Sequence, residues 1–285
     1  MKTSAFRNIS LFLVLCLPIL GLTAQSQTAP GRHQTGNESS GTSSTGPSHA
    51  EIDKIIRAFT AKETEFRHAL AEYAFQRDAL IQTIGIGGEV TGEYHRSSRF
   101  VFDDHNERFE KITFFPPPTL TEVTFTQEDL EDLGGVQPFA LEASKIGQYN
   151  FTYVGKEHVD ELDTYVFDVE PKIVPKKESE RFFQGRVWVD QVDLQIVKVR
   201  GKGVPEGKQR FPVFETWREQ IDGRYWFPTY TRADDVLNFP NGQSVHVRMV
   251  VRYNEYKKFG SKVKVTEAES GEELKPQPQP SPKKP

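Results

Sequence analysis

Histidine, acidic and serine residues are the first candidates for chemistry in this chain of 285 residues. No two of its 7 histidines lie one helical turn apart around a glutamate, the spacing of a common zinc motif. Asp103, Asp160 and Asp190 fall in polar turns, where aspartate commonly bonds its own backbone. No Gly-x-Ser-x-Gly sequence marks a serine nucleophile. We therefore predict no catalytic residue, no metal and no other cofactor; an alternative is a hydrolase whose acids and histidines meet only on folding.

Aromatic residues are more informative, because phenylalanine alone accounts for 21 positions. Many of them alternate with other residues, as side chains do along a strand with one buried face. In a closed sandwich such a face is plain core, whereas in an open barrel it lines an apolar cavity suited to acyl chains. Each buried methylene of such a chain contributes about 0.8 kcal/mol, so binding needs no catalytic group.

Antiparallel hairpins are the elements that would position these aromatic residues. Residues 180–202 contain two β-branched runs joined by a polar turn at Asp190–Asp193. A similar pair precedes it, at residues 149–153 and 165–169, and Asp222-Gly223 marks a later turn. The pattern predicts a meander of about ten or eleven strands in which strands consecutive in sequence are also neighbours in the sheet.

Two helices are predicted beside the strands. Ser48 and Glu51 have the spacing of a capping box, and apolar residues then recur at three- and four-residue steps to about residue 70. A short mid-chain helix opens near Thr126 with the sequence EDLEDL and stops before Gly134. The first helix needs an apolar sheet face to pack against.

The order of these hairpins resembles a known family. The sequence YVGKEHVDELDTYVFDVEPK, followed after a polar gap by GRVWVDQVDLQIVKVRGK, is similar to the core of LolA-like proteins, bacterial periplasmic carriers of lipoproteins and lipids. The resemblance spans residues 50–260 and implies an α+β fold: an open, unclosed antiparallel β-barrel curled around an N-terminal helix and a short mid-chain helix. It also implies an inner apolar cavity. Candidate lining residues, chosen by strand alternation, are Phe151, Tyr153, Phe167, Trp188, Trp217 and Phe227.

The ends of the chain predict export. Residues 1–24 combine Lys2 and Arg7, an apolar run and a small residue before Gln25, which is typical of a secretory signal peptide. The single cysteine, Cys16, follows the bulky Leu15, so it does not fit the acylation site of a lipoprotein. We expect a disordered linker over residues 25–48, a folded domain over 49–262 and a disordered Pro-rich tail over 263–285.

Charge and export together limit the partners. Residues 1–24 carry two basic and no acidic residues, so their removal takes the net charge from −4 to −6. A mildly acidic chain without a basic stripe is a poor nucleic-acid binder. We therefore predict a non-enzymatic periplasmic carrier that binds a lipid or an acylated lipoprotein, with transient contact to a membrane surface. The alternative is an envelope protein that binds a protein partner and has a packed core without a ligand.

Overall fold

The computed structural model of the chain describes residues 46–123, 140–177, 180–206 and 210–260, all within one compact unit, Thr45–Pro285. The predicted signal peptide, nearly all of the predicted linker, the mid-chain helix near Thr126 and the Pro-rich tail lie outside the described residues. Within those ranges, no helix combines the length and the apolar character needed to cross a bilayer.

The N-terminal helix α1 spans His49–Ala71 and begins as predicted. Ser48 and Glu51 form a capping box, in which the side chain of each accepts a hydrogen bond from the backbone amide of the other. A 3-10 helix at Ala143–Gln148 lies beside α1, where the amide of Ala143 donates to Oγ1 of Thr64 at 3.1 Å. The capping box therefore determines where α1 starts. The hydrogen bond from Ala143 joins the 3-10 helix to the C-terminal half of α1.

Ten antiparallel strands form one sheet in the described part of the chain. The strands are β1 Tyr73–Ile84, β2 Val90–Phe102, β3 Arg108–Phe114, β4 Tyr149–Val159, β5 Leu162–Pro171, β6 Phe182–Asp190, β7 Ile196–Val204, β8 Phe214–Ile221, β9 Tyr225–Asn238 and β10 Ser244–Lys258. Their order is β3-β2-β1-β10-β9-β8-β7-β6-β5-β4, so the sheet is not closed. The predicted class, an open antiparallel sheet with an N-terminal helix, is confirmed.

Two details of the predicted meander are wrong. The sequence pattern predicts one strand over residues 89–96 and another over 99–102, but these residues belong to the single strand β2, because Ser97 and Ser98 hydrogen-bond to neighbouring strands and do not interrupt it. Strands β3 and β4 are consecutive in sequence but lie at opposite edges of the sheet, while β1 pairs with β10. Three prolines at 116–118 follow β3, and proline cannot donate to a ladder, which prevents a direct hairpin there.

Helix α1 joins two parts of the core. Its first half places Ile55 and Phe59 among residues of β4, β5, β6 and β7, and its second half places Phe66 and Leu70 among residues of β1, β9 and β10. We call the sheet face that α1 packs against the inner face, and the opposite one the outer face. The inner face carries most of the core.

A buried ion pair lies at the centre of this contact. Arg218 of β8 donates to both carboxylate oxygens of Glu63 of α1, at 2.6 and 3.1 Å, and both side chains are at most 3% exposed. The guanidinium also lies 4.4 Å from the ring centre of Phe66. Each charge therefore depends on the other for compensation inside an apolar core.

Replacing Glu63 with glutamine should destabilise the fold strongly. Removing one partner leaves a buried guanidinium without its counter-charge, which costs about 3–5 kcal/mol of the free energy of unfolding. The double variant Glu63→Met/Arg218→Met should lose less stability than Glu63→Gln. Urea unfolding monitored by circular dichroism measures both values. A matched control is Glu65→Gln, on an exposed pair with Lys62, and equal losses in the control and in Glu63→Gln would contradict the assignment.

Candidate functional site

Four of the six predicted cavity residues lie on the inner face, directly under α1. Phe167 is fully buried and its ring centre is 5.5 Å from that of Phe59 of α1. Phe151 is 5.7 Å from Phe59, and Tyr153 is 5.5 Å from Phe167. Phe227, also fully buried, contacts Phe66 of α1 at 5.7 Å. These side chains pack against the helix.

The other two predicted residues, Trp188 and Trp217, lie on the outer face. The ammonium of Lys198 sits between their indoles, 4.8 Å from Trp188 and 5.0 Å from Trp217. The indole N–H of Trp188 donates to Oε2 of Glu157 at 2.7 Å. The alternation in Arg186-Val-Trp188-Val places the tryptophan on the same face as the arginine, and this signal was available in the sequence.

The outer face also carries a polar groove of about 680 Å³. Arg186 makes two hydrogen bonds to Asp168 in it, at 2.7 and 3.1 Å, and Arg200 pairs with Glu215 at 3.4 Å. Both of these arginines are thus paired with an acid within the sheet itself.

A cluster of charged residues on the inner face of β1–β3 escaped the sequence analysis. Nη2 of Arg77 donates to Oε1 of Glu110 at 2.9 Å, and Nη2 of Arg96 donates to Oε2 at 2.5 Å. The hydroxyl of Ser98 donates to Oε1 of the same glutamate at 2.5 Å. We call Arg77, Arg96, Ser98 and Glu110 the arginine cluster. Its signal in the sequence is an arginine at position 77 between Phe75 and Ala79, in an otherwise apolar alternation.

A third arginine stands next to the arginine cluster. Nη1 of Arg108 donates to the backbone carbonyl of Leu70, at the end of α1, at 2.5 Å. Burial lowers the pKa of Arg108, because charge is disfavoured away from water. Its guanidinium lies 5.5 Å from the ring centre of Phe75. Strand β3 is thereby attached to the last turn of α1.

Exposed apolar side chains flank the arginine cluster on the same face. Ile112 pairs with Ser98 across β2 and β3 and is 48% exposed. Phe115 is 44% exposed, and its ring centre is 5.3 Å from that of the buried Tyr94. Exposed apolar groups next to a buried aromatic wall mark a place where a ligand or a partner can bind.

Asp78, His95 and Ser97 bring an acid, a histidine and a hydroxyl together on the outer face of β1 and β2. Asp78 accepts hydrogen bonds from Ser97 at 2.6 Å and from His95 at 2.9 Å, so its carboxylate lies between the hydroxyl and the imidazole. Burial raises the pKa of Asp78, but these two hydrogen bonds outweigh it and the pKa is lowered overall. Activation of a serine requires the imidazole to contact the hydroxyl, and this arrangement does not provide that contact.

The turn acids have structural roles. Oδ2 of Asp190 accepts hydrogen bonds from the amides of Val192 and Asp193, at 3.1 and 2.9 Å. Burial raises the pKa of Asp190, and the nearby charge of Asp193 adds to the effect. Asp193 in turn accepts from the indole N–H of Trp226 at 2.7 Å. Across the described residues, no three His, Cys, Asp or Glu side chains gather as a metal site.

Solved structures similar to this chain include three bacterial proteins. A DUF1329 family protein from Desulfovibrio piger is 15% identical and has a TM-score of 0.39, with coverage of 74% of this chain and 94% of the other. A LolA superfamily protein from Nitrosomonas europaea is 16% identical at a TM-score of 0.32, covering 72% and 92%. A putative outer membrane lipoprotein-sorting protein domain from Vibrio parahaemolyticus is 11% identical at 0.33, covering 72% and 94%.

Two of these descriptions match the resemblance seen in the sequence. At these identities and TM-scores the similarities carry no argument about function, and the strand order of the chain itself establishes the open-sheet architecture. No protein-family model matches the chain, and no curated protein matches it.

Replacing Glu110 with glutamine should destabilise the inner face of β1–β3. The change removes the negative charge that compensates Arg77 and Arg96, and losing hydrogen bonds to charged groups costs about 1.5–3 kcal/mol. The matched control is Glu161→Gln, in the exposed turn after β4, which should change the free energy of unfolding little. Chemical denaturation of both variants and the wild type tests this prediction. A free energy of unfolding of Glu110→Gln equal to that of the wild type would show that the arginine cluster is solvated.

Proposed function

We propose that this chain is a non-enzymatic binder of acyl chains that acts as a lipid or lipoprotein carrier. The observation that carries the proposal is the inner face of β1–β3, where Ile112 and Phe115 stay exposed beside buried aromatic residues. Phe75 and Phe100 extend this wall as a stacked pair at 4.6 Å. Covering apolar surface of this kind gains about 25 cal/mol per Å², which suits a hydrocarbon chain.

The aromatic residues under α1 are a less favourable place for the ligand. Phe151, Tyr153, Phe167 and Phe227 already pack against the helix or against one another. An acyl chain could replace those contacts only if α1 moved away, which would break the buried pair of Glu63 and Arg218. We therefore place the acyl chain on β1–β3 in the proposal.

This placement also decides which substitutions are informative. Phe167→Glu would bury a carboxylate in a fully buried position of the core, and the variant would lose its fold for that reason alone. Ile112 and Phe115 can be made polar without that penalty, because both are partly in contact with water. The chain offers a matched pair on the outer side of the same strand: Phe109 and Phe114 are 46% and 50% exposed.

Export to the periplasm belongs to the same proposal. A carrier between two membranes must be secreted and must not itself be anchored, and residues 1–24 have the composition of a removable signal peptide. The lack of small residues before Cys16 argues against acylation. The mature carrier would touch membrane surfaces only transiently, while loading and unloading.

A second candidate function is an envelope interaction protein. The edge strand β3 carries Phe109 and Phe114 exposed on its outer side, and an unpaired edge can accept a strand from a partner. Such a protein would bind a partner through β3 and would carry no lipid.

The double variant Ile112→Asn/Phe115→Asn should bind acyl chains more weakly than the wild type. Losing two apolar contacts costs about 1–3 kcal/mol, which raises the dissociation constant roughly 5- to 150-fold. The control Phe109→Asn/Phe114→Asn should bind like the wild type, because its changes lie on the outer side of the strand. Titration of each purified protein with a lipid, read by native mass spectrometry, gives the comparison.

The same spectra separate the two functions. Protein purified from a bacterial periplasm should carry a lipid or an acylated peptide that organic extraction releases, and its mass should lack residues 1–24. Protein that remains free of lipid after incubation with envelope lipids would contradict the carrier. Loss of a protein partner in the Phe109→Asn/Phe114→Asn control, without any lipid binding, would favour the interaction protein.

A further inference from the structure

The arginine cluster contains more positive than negative charge. Arg77 and Arg96 both pair with Glu110, and within the described residues no other carboxylate pairs with either of them. Arg108 adds a third guanidinium on the same face, bonded to backbone carbonyls rather than to an acid. Two guanidiniums against one carboxylate leave one positive charge uncompensated.

This excess charge lies away from water. The side chains of Arg77 and Arg96 are 9% and 11% exposed. Tyr253, which is next to Arg77, is also buried, and burial raises its pKa. An uncompensated charge in such a place is costly unless a counter-ion joins it.

Two polar atoms of the cluster have no hydrogen-bond partner. They are Nε of Arg77 and Nε of Arg96, both of which are buried. Buried donors in folded proteins are nearly always satisfied, and an exception usually marks a place where another group binds. Each guanidinium donates one hydrogen bond to Glu110, which also accepts from the hydroxyl of Ser98, so both guanidiniums are already oriented.

Apolar side chains lie beside the two guanidiniums of the arginine cluster. The guanidinium of Arg77 lies 4.9 Å from the ring centre of Phe100, and that of Arg96 lies 5.9 Å from the ring centre of Phe115. Ile112 follows Glu110 on the same face of β3. A charged centre with an apolar wall beside it matches a molecule with an anionic head and a hydrocarbon chain.

We propose that Arg77 and Arg96 bind the oxyanion head group of an acyl amphiphile, a carboxylate or a phosphate, while its chain lies along Ile112 and Phe115. This inference rests on the proposed function, because the acyl chain of the ligand lies along the same apolar residues. It adds that the head group of the ligand is negatively charged. Arginine suits this role because its planar guanidinium offers several donors to an oxyanion at once. Glu110 is a positioning residue that holds the two arginines, and Ser98 in turn donates to Glu110.

The first test compares ligands on the unaltered protein. Tetradecanoate and tetradecyl phosphate share a chain length with the uncharged monotetradecanoylglycerol, so the head group is the variable. Competition by inorganic phosphate alone separates the binding of a head group from the binding of a free anion. We expect both anionic lipids to bind at least about tenfold more tightly than the neutral one, and inorganic phosphate to compete weakly.

The second test uses variants with opposite expected effects. Arg96→Gln and Arg77→Gln should each weaken tetradecanoate binding about tenfold and leave the neutral lipid unaffected. Glu110→Gln keeps a side-chain oxygen that can accept from the arginines but removes the competing negative charge, so it should tighten tetradecanoate binding although it lowers stability. A protein that is merely damaged would not bind more tightly. Arg99→Gln, on the outer face of β2 and exposed, is the control.

The outcomes separate this inference from the proposed function. Equal affinity for neutral and anionic lipids would overturn the head-group site and leave the carrier intact. Failure of every lipid to bind would overturn the carrier. Inorganic phosphate that binds as tightly as the anionic lipids would identify a site for a free anion and contradict the lipid head group. Weaker tetradecanoate binding by Glu110→Gln would also overturn the assignment of charge.

Discussion

The buried pair of Glu63 and Arg218 is the constraint on which the rest of the structure depends. Both residues lie in apolar surroundings, so neither can lose its partner without leaving a charge away from water. A shift of α1 by one residue would turn Glu63 away from β8, and such shifts are thereby disfavoured. The pair therefore favours one position of α1 on the sheet.

That fixed position decides which part of the inner face remains available. With α1 held over the sheet from β1 through β10 and β9 to β4, its aromatic residues pack against the strands beneath it. The strands beyond its last turn, β2 and β3, have less cover, and Ile112 and Phe115 stay exposed there. By holding α1 in place, the ion pair helps to leave one part of the inner face covered by the helix and another part exposed.

Much of the fold could be predicted from local patterns, because local chemistry determines it. Ser48 and Glu51 mark the start of α1, and Asp222-Gly223 marks a turn in which both residues have a positive φ. The separation of β3 from β4 could not be predicted in this way. The pairing of β1 with β10 is long-range, and no local sequence pattern indicates which distant strand pairs with β1.

The candidate site was predicted less well, for a related reason. Alternation places Trp188 on the same face as Arg186, but aromatic character alone groups Trp188 and Trp217 with the phenylalanines of the other face, from which the structure separates them. Arg77, Arg96 and Glu110 come from three strands, and their spacing in the sequence does not reveal that they meet. An arginine within an apolar alternation, as at position 77, is the clue that was present.

The pairing of the first strand with the last has a consequence for how the chain acquires its structure. Tyr73 lies opposite Lys258, so this ladder closes a loop that contains nearly the whole domain. Closing long loops is entropically costly, and folds rich in such contacts form slowly. During synthesis β1 emerges long before β10 and lacks one neighbour until the final strand appears. The sheet can therefore reach its final strand order only after nearly the whole domain has been synthesised.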